Sequence, residues 1–473
     1  MPASQKLFDL WANMEQECQQ ILRKYRINSE SMRAYGVRLP GQDTDSADLI
    51  LVLTQDVEIH SWIHAATEIW QLFQEKGYER EGIKVEIRNE RRAAFDKSVV
   101  MPNDERLLGM IAAIRNDVLE KVKTLFHEDW TFISYHMRSP IQDPSILKPT
   151  CIIGCKPGLR SLFTYIESEI LQILDCPQFP EISLYFEICP GTIESSSGTG
   201  NAIAYVNMPP YSNRTSIGPR KNKVDAGTLG GCVLLRKGNS VKRCILSAYH
   251  VARSGVEGEA LATNDKKGLG LDEFPIPEER RIDITSPALL DIWKTKSVLE
   301  KMGRDDDLAE LWRRTQEMFG TVIFATGNVF RTPGEKGRRM DWVLIELSDP
   351  NNHFRNQPPP ADIFRDQENT TFHNYYANSN DYITDFGEAA QKDWVVAQGR
   401  TTPACTGKWS KLLTDINWPH MEVSWEEQVL SDCVQGGPFA THGDSGSWIV
   451  NERYEVVGLL IAVTSGGSLA EDQ

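Results

Sequence analysis

Ser445 stands in Thr441-His442-Gly443-Asp444-Ser445-Gly446-Ser447, directly before the apolar run Trp448-Ile449-Val450. A serine between small, flexible neighbours at the entry to a β-like run can present its hydroxyl on a tight turn, with backbone N–H groups converging on the space above it. That arrangement suits acyl transfer. It is not a GxSxG elbow, because Ser447 occupies the place of the second glycine. Other residues with metal or phosphate chemistry stand alone. His60 and His64 are four apart on an expected helix, but no third ligand is near, and a solvated helix end accounts for them. Cys151 and Cys155 lie in and just after an apolar strand with no second pair, as core thiols do. Ser197-Gly198-Thr199-Gly200 is not followed by the lysine of a phosphate loop, and Asp305-Asp306-Asp307 is too short for a calcium loop. No metal and no cofactor is expected.

Gly443-Asp444-Ser445-Gly446 resembles the nucleophile turn of the chymotrypsin-like serine peptidases. Two upstream stretches extend the resemblance, in the family's chain order of His, Asp and Ser. The first runs from Gly227-Thr228-Leu229-Gly230-Gly231 through a turn at Lys237-Gly238-Asn239 to Cys244-Ile245-Leu246-Ser247-Ala248-Tyr249-His250. It is similar to the barrel strands that lead into the family's histidine. The second, Met340-Asp341-Trp342-Val343-Leu344, is an aspartate opening an apolar strand; Asp283, in Arg281-Ile282-Asp283-Ile284, is the alternative with weaker flanks.

The resemblance covers 227–467 and implies that Ser445 is the nucleophile, His250 its base and Asp341 the carboxylate that orients the ring. It also implies an oxyanion hole from the backbone N–H groups of Gly443 and Ser445. Phe439 takes the place of an acid in the pocket floor, so an apolar or small side chain is expected there rather than Arg or Lys. Ile461, Ala462 and Val463 would line the substrate backbone, with Ser465-Gly466-Gly467 at the rim. Two departures matter. Val251 replaces the cysteine that follows the histidine in many secreted members, and no Ile-Val-Gly-Gly start exists near the barrel, so Asp444 is expected to find a local partner.

These residues need strands to hold them, and 227–473 reads as an all-β double barrel. A helical insertion is expected at 286–319, where Leu289, Leu290, Trp293, Leu299, Leu308, Leu311 and Trp312 give apolar faces. The front of the chain is a different kind of text. Leu7, Leu10, Trp11, Met14, Cys18 and Leu22 form a helical stripe that returns as Leu107, Met110, Ile111, Ile114, Val118 and Val122. Strand-like runs and a second helix follow each in the same order, which predicts an α+β tandem repeat, α-β-β-α-β twice, at 1–98 and 99–192. The two copies are expected to pack together or share a sheet. Residues 193–226 are polar and punctuated, as a linker is.

The 473 residues exceed one ordinary core, and 40% hydrophobic with 25% charged residues is a globular composition. A formal charge of -15 argues against nucleic acid or an anionic membrane as partner. The start carries no signal-peptide pattern and no run reaches the roughly 18 apolar residues of a span. With 9 scattered cysteines in mostly apolar runs, a cytoplasmic setting is expected. The partners implied are a protein or peptide substrate and a protein that meets the front repeats. A serine endopeptidase is the leading function; a peptidase-fold binding or regulatory protein without turnover is the alternative.

Overall fold

The computed structural model describes residues 4–38, 46–54, 56, 61–78, 82–89, 97–139, 147–159, 161, 163–195, 203–205, 211–270, 275–331, 337–349, 354–364, 375–378, 380–419, 421–432 and 438–465. His60, the 196–200 stretch and Gly466-Gly467 lie outside them. The chain divides into two compact units, 1–98 with 138–148 and 467–473, and 99–137 with 149–466.

In the first unit the helix Gln5–Lys24 is opened by Ser4, whose hydroxyl accepts from Leu7 N at 3.2 Å, and closes on Arg23 and Lys24, where cations suit the helix end. Its stripe of Leu7, Met14, Cys18 and Leu22 is buried with Ile50 and Val52 of the sheet and with Ala65, Ile69 and Phe73 of the helix Trp62–Glu75. Ser46–Thr54 is the central strand, antiparallel to Ser29–Arg38 and parallel to Ile83–Asn89. The buried Asp48 is satisfied by Ser4 N at 2.8 Å and the Tyr78 hydroxyl at 3.1 Å.

Along 105–190 the elements follow the same order: helix Glu105–Phe126, strands Trp130–Ser139 and Lys148–Cys155, helix Phe163–Leu174 and strand Tyr185–Pro190. Asp104 caps the first helix, accepting from Arg106 N and Leu107 N. Of the two expected arrangements, packing together or sharing a sheet, the shared sheet does not form among the described residues: these strands and the front three belong to different sheets. They extend a nine-stranded mixed sheet that includes Cys405–Asn417, where Asp415 faces Ile133 and Ile416 faces Phe132. The join is also ionic, since Arg115 grips the fully buried Asp415 through Nε and Nη2 at 3.0 and 2.8 Å. An unpaired strand edge is costly to leave open, and here a barrel-side strand covers it.

The remaining strands near the site form a seven-stranded sheet curled into a half-barrel, in the order Gly227–Thr228, Ser216–Pro219, Asp283–Thr285, Gly320–Ala325, Val343–Leu347, Ser240–Ser247, Gly231–Lys237. Its inward residues Ile217, Ile245, Ile284, Val322, Val343 and Ile345 form one core with Leu229, Tyr249 and Val251. Residues 193–226 therefore differ from a plain linker. Ser216–Pro219 is a fully buried strand, and Thr192–Ser195 pairs with Ala462–Ser465. Polar composition misleads here because each short strand carries a single isoleucine, Ile193 or Ile217, into a core, and backbone pairing does the rest. The insertion consists of helices Leu289–Met302 and Asp305–Gln316, turning at Gly303 with φ 64°. Among the described residues no helix is long and apolar enough to cross a membrane, and no His, Cys, Asp or Glu group could hold a metal ion. No disulfide joins any of the eight described cysteines.

Candidate active site

Strand register brings the first two site residues together. Ser240–Ser247 runs antiparallel to Val343–Leu347 with Ser247 opposite Val343. His250 follows the end of one strand and Asp341 precedes the start of the other, so both overhang the same edge. The short helix Tyr249–Ala252 turns the His250 ring inward, and its backbone N donates to Asp341 Oδ1 at 2.9 Å. His250 Nδ1 meets Asp341 Oδ2 at 2.7 Å, and His250 Nε2 meets Ser445 Oγ at 2.7 Å. All three residues are buried, with Ser445 at 0% exposure. Asp283 is elsewhere: it pairs with Arg281 Nε at 2.9 Å and accepts from the Thr321 hydroxyl.

Asp341 also receives Arg339 Nη2 at 3.0 Å. Burial alone would push the Asp341 carboxyl up; the His250 ring and the Arg339 guanidinium outweigh it and hold the group well below the usual carboxylate range. Arg339 is itself buried, and its guanidinium lies 4.2 Å from the ring centre of Trp418. Asp341 thus stays charged and can only accept, so His250 Nδ1 is the donor of that pair; in a neutral ring Nε2 is then the acceptor that faces Ser445 Oγ.

The serine sits on a turn that only glycine permits. Gly443 and Gly446 have φ of 101° and 91°, and a Cβ on Gly446 would strike Ser247 Oγ. Between them Asp444 turns away into a shell of threonines. Its Oδ1 accepts from Thr401 N at 2.8 Å, Thr401 Oγ1 at 2.6 Å and Thr402 N at 3.0 Å. Its Oδ2 accepts from Thr441 N at 2.8 Å and from the Thr402 hydroxyl. Gly399 makes room, since a Cβ there would strike Asp444 Oδ1. Asp444 is therefore held by Thr441, close by in the chain, and by Thr401 and Thr402, brought to it by the fold. Thr228 closes the far side, giving its N–H to Ser445 O at 2.7 Å and its hydroxyl to Gly443 O at 3.1 Å.

Phe439 is buried in a core with Trp409, Ile449 and Leu460. Ala462 and Val463 are paired with Ser195 and Glu194, so the edge expected to meet substrate already carries a strand of this chain. Glu194 Oε2 further contacts His442 Nε2 at 2.9 Å. A cleft of about 650 Å³ opens beside His250, lined also by Ser195, Arg253, Lys266, Asn328 and Arg339. A smaller groove in the first unit, between Gln5–Lys24 and Trp62–Glu75, contains none of the site residues.

Arg339, Thr228, the Thr401-Thr402 pair and the Thr192–Ser195 strand join the site without a motif that marks them. Arg339 alone leaves a signal in the sequence: two positions from Asp341 in an extended run, it falls on the same face. The others act on residues far away in the chain.

No protein-family model and no curated protein matches the chain. Solved structures similar to about half of this chain include proteases. Protease A of Thermobifida fusca is 13% identical, with 53% of this chain and 82% of that one covered at a TM-score of 0.26. A Nocardiopsis protease is 11% identical, covering 53% and 83% at 0.25. The Cellulomonas bogoriensis chymotrypsin is 11% identical, covering 53% and 82% at 0.24.

Proposed function

We propose that this chain is a serine endopeptidase. The observation that carries the reading is His250 set between Asp341 and Ser445, at 2.7 Å from each. Ser445 Oγ attacks the scissile carbonyl while His250 Nε2 takes its proton; the ring then gives that proton to the leaving amine, and water repeats the sequence on the acyl-enzyme. Asp341 holds the ring and offsets the imidazolium charge. The backbone N–H groups of Gly443 and Ser445 receive the oxyanion, each donor worth about 3 kcal/mol in such sites. The apolar core at Phe439 favours an apolar or small side chain before the scissile bond.

The strand Thr192–Ser195 on Ala462–Ser465 supports a regulatory part for the front of the chain, because a peptide docking on that edge competes with it. Partner or substrate recognition by residues 1–192 belongs to the same proposal. The test is labelling of purified protein with a fluorophosphonate, comparing wild type with Ser445→Ala and His250→Ala. Labelling that requires both residues is expected. A folded full-length protein that stays unlabelled would favour the binding-protein alternative. An unchanged labelling rate in Glu194→Pro, which breaks the Thr192–Ser195 pairing, together with unchanged protein partners after deletion of residues 1–98, would remove the regulatory part.

A further inference from the structure

A further buried ion pair lies beneath the nucleophile turn. Arg400 and Asp291 are both 0% exposed at their side chains. Arg400 Nε donates to Asp291 Oδ2 at 2.7 Å and Nη2 to Oδ1 at 2.5 Å, a two-point grip that fixes the guanidinium plane. Asp291 belongs to the inserted helix Leu289–Met302 and Arg400 to the loop after Trp394–Ala397. The helix is itself anchored at its start, where Ala288 N donates to Ser216 Oγ at 3.0 Å and Ser286 Oγ to Ser216 O at 2.9 Å. Asp291 Oδ1 also receives Ile203 N at 2.9 Å.

The guanidinium faces the turn. A Cβ on Gly443 would strike Arg400 Nη1, so the cation packs directly against the α-carbon of Gly443. The Arg400 backbone N donates to Thr228 Oγ1 at 2.8 Å, and that hydroxyl donates to Gly443 O at 3.1 Å. Gly443 is therefore packed at its α-carbon by Arg400, the residue that the inserted helix grips, and held at its carbonyl by Thr228, whose hydroxyl accepts the Arg400 backbone N–H.

We infer that the Asp291–Arg400 pair is a positioning device through which the helical insertion sets the backbone at Gly443, and with it the Gly443 N–H, one donor of the oxyanion hole. This rests on the peptidase reading for its catalytic consequence but not for its structural one. Asp291 cancels the charge of Arg400, so the pair acts by geometry rather than by field.

The test uses the full chain and the double variant Asp291→Leu/Arg400→Met, which replaces the ion pair by apolar side chains and leaves no buried charge without its partner. Fluorophosphonate labelling is expected to slow at least about tenfold, in the saturating rate rather than in probe affinity, because misplacing one donor costs transition-state contact. Amide exchange of the 438–448 segment, measured in a Ser445→Ala background, is expected to accelerate selectively. Wild-type labelling and unchanged exchange in a folded double variant would overturn the inference. Selective exchange in a protein whose wild type never labels would uphold the positioning role while the peptidase reading fails. If the double variant does not fold, Arg400→Lys, which keeps the charge without the fork, is read by the same two measurements with the same outcomes.

Discussion

Replacing Asp444 by asparagine removes the charge that holds the nucleophile turn while keeping its shape. The carboxylate accepts three backbone N–H groups, from Thr401, Thr402 and Thr441. An amide has one acceptor oxygen. If that oxygen keeps the Thr401 and Thr402 donors, the new NH2 group faces Thr441 N–H, while the threonine hydroxyls rotate to accept. A buried N–H left facing a donor costs about 1–3 kcal/mol, and two charge-assisted bonds weakened to neutral ones lose about 1 kcal/mol each. The amide is cheaper to bury than a carboxylate, which returns part of this. The net expected loss is about 2–4 kcal/mol in urea unfolding followed by tryptophan fluorescence, with slower fluorophosphonate labelling. Thr441→Val, which deletes only a hydroxyl, should cost about 1 kcal/mol. A change under about 0.5 kcal/mol in Asp444→Asn would refute the account of a turn held by these threonines.

Asp341 titrates in the folded protein below its unfolded value of about 3.9, so its stabilisation is fully present above that pH and fades as the pH falls below it. The stability gap between wild type and Asp341→Ala in urea is accordingly expected to shrink from about pH 6 to about pH 3; a constant gap would contradict the depressed carboxyl. Arg115→Met leaves Asp415 buried without its bidentate cation and should cost about 3–5 kcal/mol, read as a lower urea midpoint. Gly446→Ala combines a φ of 91° with a clash at Ser247 Oγ and should lose more than about 2 kcal/mol together with labelling, whereas Gly238→Ala, at φ 60° with open space around it, should cost about 1 kcal/mol and leave labelling intact.

Chemistry written in a few adjacent residues is legible in the sequence itself. Gly443-Asp444-Ser445-Gly446 marks a turn because glycine tolerates the backbone angles found there, and the stripes of Leu7 to Leu22 and Leu107 to Val122 mark helices because their period is that of the buried face. The helices of the insertion are readable for the same reason. Chain order and motif also put forward His250, Asp341 and Ser445, whose side chains the structure places in hydrogen-bonding contact. Everything decided by pairing across long loops belongs to the tertiary structure. Which edge takes Trp130–Ser139, which strand lies on Ala462–Ser465, and which cation faces Asp415 or Asp291 depend on register and burial. A lone arginine or a polar four-residue strand has no local pattern that tells its partner. Local propensity is a property of neighbours in the chain; strand pairing and buried ion pairs are properties of neighbours in space, and only the folded chain chooses those.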